Sequence, residues 1–180
     1  MNIQTIYQKT IIFATLKHLE KGQTIPGTEI PYVVHLSNVA MEILIASQNT
    51  HNFNIEFAIQ VALLHDTLED TNTTFEELVS EFGCEIAEGV LALTKNDALP
   101  KNEKMLDSLN RTKKLCKEVW AVKLADRITN LQKPPQHWNV SKKTEYKKEA
   151  KIILELLKGG NEFLENRLLK QIDEYDKYIN

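Results

Sequence analysis

The sequence predicts an all-α fold, and three observations carry that expectation. Apolar residues recur at spacings of three and four along most of the chain, no segment shows the strict alternation of a half-buried strand, and six glycines and five prolines punctuate the periodic segments. The chain has 180 residues, 42% hydrophobic and 26% charged, which is enough for one domain with a sizeable core. A single-domain bundle of roughly eight to ten helices follows, without repeats or low-complexity segments.

Ile6, Ile11, Ile12, Phe13, Leu16 and Leu19 predict a first helix that stops near Gly22. "GQTIPGTEIPY" is a loop, and Val34, Val39, Ile43 and Leu44 predict a second helix. From Ile55 to Leu64 the residues are apolar nearly all round, so the third helix should be central and buried. "TTFEELVSEFG" opens with the pattern of a capping box, Thr74 with Glu77, and stops at Gly83. A short helix through Ile86, Val90 and Leu93 precedes the loop "TKNDALPKN". The stretch from Glu103 to Cys116 is amphipathic and lysine-rich, and Val119 to Leu131 reads as a second strongly apolar helix. "QKPPQHWN" breaks it, because neither proline fits a helix interior. Two long amphipathic helices, Ser141 to Lys158 and Asn161 to Ile179, complete the order.

A net charge of −3 gives no global electrostatic case for nucleic acid. No uninterrupted apolar stretch approaches a membrane span, and the first residues carry no basic start followed by an apolar block, so neither a membrane protein nor a signal peptide is expected. Cys84 and Cys116 make no disulfide framework or close-spaced zinc pair, and two reduced thiols point to a cytoplasmic protein. Oligomeric state is left open.

The chemistry concentrates in "LLHDTLEDT", where His65, Asp66, Glu69 and Asp70 directly follow the most apolar run of the chain. On one helix His65 would lie over Glu69 and Asp66 over Asp70. A solvated acidic helix end explains Glu69 and Asp70 taken alone. It explains His65 and Asp66 poorly, since a buried aspartate needs a partner. His35 in "PYVVHLSNVA" and Asp126 in "VWAVKLADRITNL" also lie on expected buried faces. Two imidazoles and two carboxylates suit a divalent ion, with manganese, iron, cobalt, nickel and zinc all admissible.

Together these motifs resemble the HD-domain metal-dependent phosphohydrolases. "ALLHDTLEDT", "PYVVH", "LTKNDALPK" and "KLADRITNL" fall in the order and approximate spacing of the alarmone hydrolases, the hydrolase domain of RelA/SpoT proteins and its stand-alone relatives, over Lys17 to Leu131. The resemblance implies an HD-type bundle spanning residues 1–180, with the helices of residues 141–180 packed on the motif-bearing part. It implies one divalent ion, by preference manganese with magnesium a further option, held by His35, His65, Asp66 and Asp126. It implies Glu69 and Asp70 as the catalytic acids, and removal of 3′-pyrophosphate from (p)ppGpp or a relative such as (p)ppApp. Asn130, Lys123, Arg127 and Tyr32 become the candidate contacts for a phosphorylated nucleotide. Alarmone hydrolases usually carry an Arg/Lys-rich stretch before the "PY" of "PYxxH"; here it reads "IPGTEIPY" with no basic side chain. Base recognition should therefore differ. Two alternatives are an HD phosphohydrolase of other specificity, a nucleotidase or NADPH 2′-phosphatase, and a non-catalytic nucleotide- or metal-binding regulator.

Overall fold

The computed structural model describes residues 2–179. Among them the chain forms ten α-helices and one 3-10 helix: α1 (Ile3–Glu20), α2 (Val33–Gln48), α3 (Ile55–Leu64), α4 (Thr67–Asp70), α5 (Phe75–Phe82), α6 (Cys84–Leu93), α7 (Lys101–Thr112), α8 (Lys117–Asn130), α9 (Val140–Leu156), α10 (Glu162–Glu174) and the 3-10 turn Tyr175–Tyr178. No strand forms among the described residues; a lone antiparallel bridge, Thr24 to Pro31, pinches the loop after α1. None of these helices is long and apolar enough to cross a membrane.

Local chemistry sets most boundaries. The side chains of Asn2, Asn54, Thr74, Asn139 and Asn161 each accept a backbone N–H at the start of α1, α3, α5, α9 and α10, satisfying donors a helix leaves open. The expected box at Thr74 is half realised: Thr74 Oγ1 accepts from Glu77 N at 3.2 Å, while Glu77 turns away to Lys17 Nζ at 2.6 Å. Gly83, at φ +91°, ends α5 and starts α6 in a conformation that side chains rarely adopt.

Helix α3 is the axis of the molecule. Ala58, Ile59, Val61, Ala62, Leu63 and Leu64 are all fully buried, and α3 packs against α1, α2, α6 and α8. Helices α2, α3 and α8 also touch one another pairwise, so the three helices bearing His35, His65 and Asp126 form one packed unit. The apolar residues of α1 behave differently. Its buried stripe is Ile6, Thr10, Ala14 and His18, whereas Leu16 and Leu19 are exposed. Leu63→Ala should therefore lower stability by about 2–5 kcal/mol, and Leu16→Ala by less than about 0.5 kcal/mol, as read from thermal denaturation.

One element departs from the sequence expectation. "LLHDTLED" is not one helix: α3 ends at Leu64 and α4 begins at Thr67. His65 Nδ1 bonds the carbonyl of Ala62 at 2.8 Å and Thr67 Oγ1 donates to that of Leu64 at 2.7 Å, so side chains take over at the end of α3. Asp66 sits in the turn between the helices, and the expected one-helix stacking of His65 over Glu69 does not hold.

Candidate active site

The three packed helices bring four donor side chains to one point. His35 Nε2 and His65 Nε2 are 3.4 Å apart. Asp126 Oδ1 lies 3.5 Å from the first and 3.6 Å from the second. Asp66 Oδ2 lies 2.9 Å from His65 Nε2 and 3.8 Å from His35 Nε2. Donor atoms of His35, His65 and Asp126 all fall within 4.8 Å of one another, with Asp66 at the side of this group. Ligands bound at about 2.0–2.2 Å from a common ion are separated by roughly 3–3.5 Å, so the spacing fits a single small cation.

The tautomer fits too. A carbonyl can only accept, so the Ala62 contact keeps the proton on His65 Nδ1 and turns Nε2 inward. Burial works against a charged imidazole at His65, yet the adjoining Asp66 and Asp126 outweigh it and raise its pKa well above the ordinary histidine range. Burial works against ionising Asp126 as well; Lys123 and the two histidines still hold it well below the usual carboxylate range. Asp66 is likewise lowered, by His65 against the burial penalty. Excess negative charge thus converges on two imidazoles, the imbalance a divalent cation would neutralise.

The surrounding side chains are committed to these carboxylates. Tyr32 donates its hydroxyl to Asp66 Oδ2, and burial together with Asp66 drives the pKa of that hydroxyl far upward, so it stays a donor. Asn130 Nδ2 donates to Asp126 Oδ1 at 2.5 Å and Lys123 Nζ stands 3.4 Å from Asp126 Oδ2. Tyr32, Asn130 and Lys123 therefore orient the donor cluster as well as lining the space beside it.

Glu69 and Asp70 are not free side chains. Glu69 accepts from both Lys95 N at 3.0 Å and Lys95 Nζ at 2.5 Å. Asp70 Oδ2 accepts from Gln23 Nε2 at 2.8 Å, and no side-chain bond to Asp70 Oδ1 occurs among the described residues. Loss of solvent around its carboxyl, and the charge of Asp66, raise the pKa of Asp70. Gln23, in the polar loop after α1, and His18, on the buried face of α1, carry no motif of their own. Their part comes from a contact to α4, 47 residues away from Gln23.

Asp66, Glu69, Asp70 and Asp126 open on a cavity of about 470 Å³ whose wall carries Lys95, Lys101, Lys104, Lys123, Arg127 and Lys142. Arg127 is buried, its guanidinium 4.3 Å from the ring centre of Tyr146. Its Nε and Nη1 have no hydrogen-bond partner among the described residues, and Glu149 stays 3.6 Å away. A buried, unsatisfied guanidinium on a cavity wall suits an anionic guest. A second space of about 530 Å³ adjoins the first, sharing Asn130, Trp138 and Tyr146 with it. Its wall includes Ile25, Pro26, Thr28 and Pro135, with Lys133 the one lysine or arginine and no carboxylate. Trp138 packs edge-on against Tyr146 at 5.1 Å, and both rings are part of the wall between the two spaces.

The sequence profile of the HD domain family matches residues 12–157. The chain belongs to the HD domain family. Within this family, the zebrafish (Danio rerio) guanosine-3′,5′-bis(diphosphate) 3′-pyrophosphohydrolase MESH1 is 36% identical over 165 residues, covering 89% of this chain and 88% of the relative. The human enzyme of that name is 33% identical, covering 87% of each. A solved structure, that of a metazoan ortholog of SpoT that hydrolyzes ppGpp, superposes with a TM-score of 0.80 at 27% identity, covering 97% of both chains. The all-α HD fold and the alarmone-hydrolase resemblance expected from the motifs are both borne out.

Proposed function

We propose that this protein is a metal-dependent hydrolase that removes 3′-pyrophosphate from (p)ppGpp or a close relative such as (p)ppApp. One observation carries the reading: the cluster of His35, His65, Asp66 and Asp126 reaches, through its two aspartates, the same cation-walled cavity that the two anchored acids line. Relatives that match over nearly the whole chain bear the name of this activity.

His35, His65, Asp66 and Asp126 would hold the divalent ion, for which manganese is our first choice. Bound there, such an ion lowers the pKa of water and draws charge from a phosphate, the two needs of this hydrolysis. The protein's own groups supply the rest. Asp70, with one carboxylate oxygen unbonded and a raised pKa, is suited to take the proton of the attacking water. Glu69, held by Lys95 at both oxygens, serves better as a fixed negative charge that keeps Lys95 at the cavity. Lys123 and Arg127, with Lys101, Lys104 and Lys142 across the cavity, neutralise the phosphates. Tyr32 and Asn130 keep Asp66 and Asp126 in place while bordering the nucleotide. A cytoplasmic location belongs to the same reading and accords with two unpaired cysteines.

The test is a metal-supplemented hydrolysis screen over ppGpp, ppApp, ordinary nucleotides and NADPH with product identification. Pyrophosphate release from an alarmone supports the proposal; orthophosphate release from NADPH or a mononucleotide would transfer it to another HD phosphohydrolase activity, and no turnover would leave a binding protein.

The second cavity suits the base, and its lining bears on specificity. With Pro26 and Thr28 in its wall and no arginine, nothing there makes the cation–π contact of an arginine over guanine. Such a contact is worth roughly 0.5–2 kcal/mol, up to about thirtyfold in affinity. The ratio of kcat/KM for ppGpp over ppApp should thus be smaller than in an arginine-bearing relative, and Pro26→Arg should shift it toward guanine. A strong guanine preference in the wild type, unchanged by Pro26→Arg, would remove this loop from base reading.

A further inference from the structure

The side chain of Gln23 joins His18 on α1 to Asp70 on α4. Its Nε2 donates to Asp70 Oδ2 at 2.8 Å, and its Oε1 lies 2.5 Å from His18 Nδ1. Ionised Asp70 only accepts, so it fixes which end of the amide faces it. The amide oxygen must then face His18, which places the imidazole proton on Nδ1 and leaves Nε2 bare. His18 Nε2 is buried without a partner among the described residues, and burial lowers the pKa of the ring, keeping it neutral. A tilted ring contact with Tyr32, 4.8 Å between centres, packs against the imidazole.

Fastening the loop does not require this chain of bonds. The backbone already does so: Gln23 N donates to the His18 carbonyl at 3.1 Å, Tyr32 N to the Gln23 carbonyl at 3.2 Å, and Ile25 N to the Ile30 carbonyl at 2.9 Å. The side-chain relay is additional, and its end point is a cavity-lining carboxylate.

We propose that Gln23, oriented by His18, is a positioning residue for hydrolysis: its amide pins Asp70 Oδ2 and leaves Asp70 Oδ1 available to the attacking water. This rests on the reading of Asp70 as the proton acceptor. Among the described residues the Gln23 side chain bonds Asp70 and His18, not the donor cluster, and it is not part of the cavity wall, so it acts through Asp70. Because the amide cannot turn over without setting its oxygen against the carboxylate, the carboxylate plane is fixed before substrate arrives, which removes reorganisation from the chemical step.

The experiment compares Gln23→Leu, Asp70→Asn and the double variant, each metal-loaded, with ppGpp as substrate. Gln23→Leu should lower kcat about ten- to a hundredfold, the effect of losing a hydrogen bond to a charged group, with KM, metal content and melting temperature nearly unchanged. The double variant should be no slower than Asp70→Asn alone, because the two residues act as one unit. His18→Phe, which keeps the ring volume but not the N–H, should show the same kcat-selective loss at smaller size, and serves if Gln23→Leu folds poorly. Nitrogen NMR supplies a readout independent of turnover: His18 should be neutral and protonated at Nδ1, and Asp70→Asn should shift its signals. Multiplicative losses in the double variant, a change in KM instead of kcat, or His18 signals indifferent to Asp70→Asn would overturn the proposal. Wild-type turnover in Asp70→Asn would overturn the proton-acceptor reading and this inference with it, whereas a large loss there beside wild-type kcat in Gln23→Leu would overturn this inference alone.

Discussion

Asp126→Asn is expected to lose the divalent ion and, with it, all measurable hydrolysis. Asp126 is buried, and its Oδ1 stands within 3.6 Å of both imidazole nitrogens, so it completes the donor group from the side of α8. Asparagine keeps the shape but removes one negative charge from a site whose attraction for a cation is that charge. Changes one layer outside a metal's ligands already weaken affinity about ten- to a hundredfold, and losing a charged ligand should exceed that. The variant also removes the carboxylate that faces Lys123, so the ammonium beside the cluster is no longer offset. Metal content after gel filtration, and calorimetric titration with manganese, measure the effect. Full metal occupancy in Asp126→Asn would contradict the assignment of this residue.

The second large effect separates chemistry from metal binding. Asp70→Asn should retain the ion and lose about a hundred- to ten-thousandfold in kcat, the usual contribution of a positioned acid or base. Asp70 reaches the cavity from the end of α4, not from the donor cluster, so the residues that would hold the ion are untouched. Glu69→Gln should also keep the ion and lose most turnover, by a different route: it releases Lys95, whose raised pKa depends on Glu69 outweighing the burial of its ammonium. Single-turnover rates beside metal analysis distinguish the two. If both variants turn over at the wild-type rate with metal bound, neither acid takes part in the chemistry.

The helical order was legible because its signals are local. Glycine and proline mark the loops, and asparagine or threonine stands at the start of α1, α3, α5, α9 and α10, each bonding within three residues. The donor cluster was legible for a related reason: His35, His65 and Asp126 sit beside runs of buried apolar residues on α2, at the end of α3 and on α8. The break between α3 and α4 was not, because helical periodicity continues through "LLHDTLED" and the interruption depends on side-chain bonds of His65 and Thr67 to backbone carbonyls. Nor were the tethers on the acids. Lys95 reaches Glu69 across 26 residues and Gln23 reaches Asp70 across 47, and neither spacing leaves a periodic trace. Arg127 was visible as a cation beside Asp126; its stacking on Tyr146 and its unsatisfied nitrogens needed α9 in place.

The central claim is that these residues release pyrophosphate from the 3′ position of an alarmone. Phosphorus NMR of ppGpp incubated with the manganese-loaded protein, run beside Asp126→Asn, tests it most directly. The account predicts equimolar pyrophosphate and GDP from the wild type and neither from the variant. Orthophosphate in place of pyrophosphate, or unchanged ppGpp with the metal site fully loaded, would contradict it.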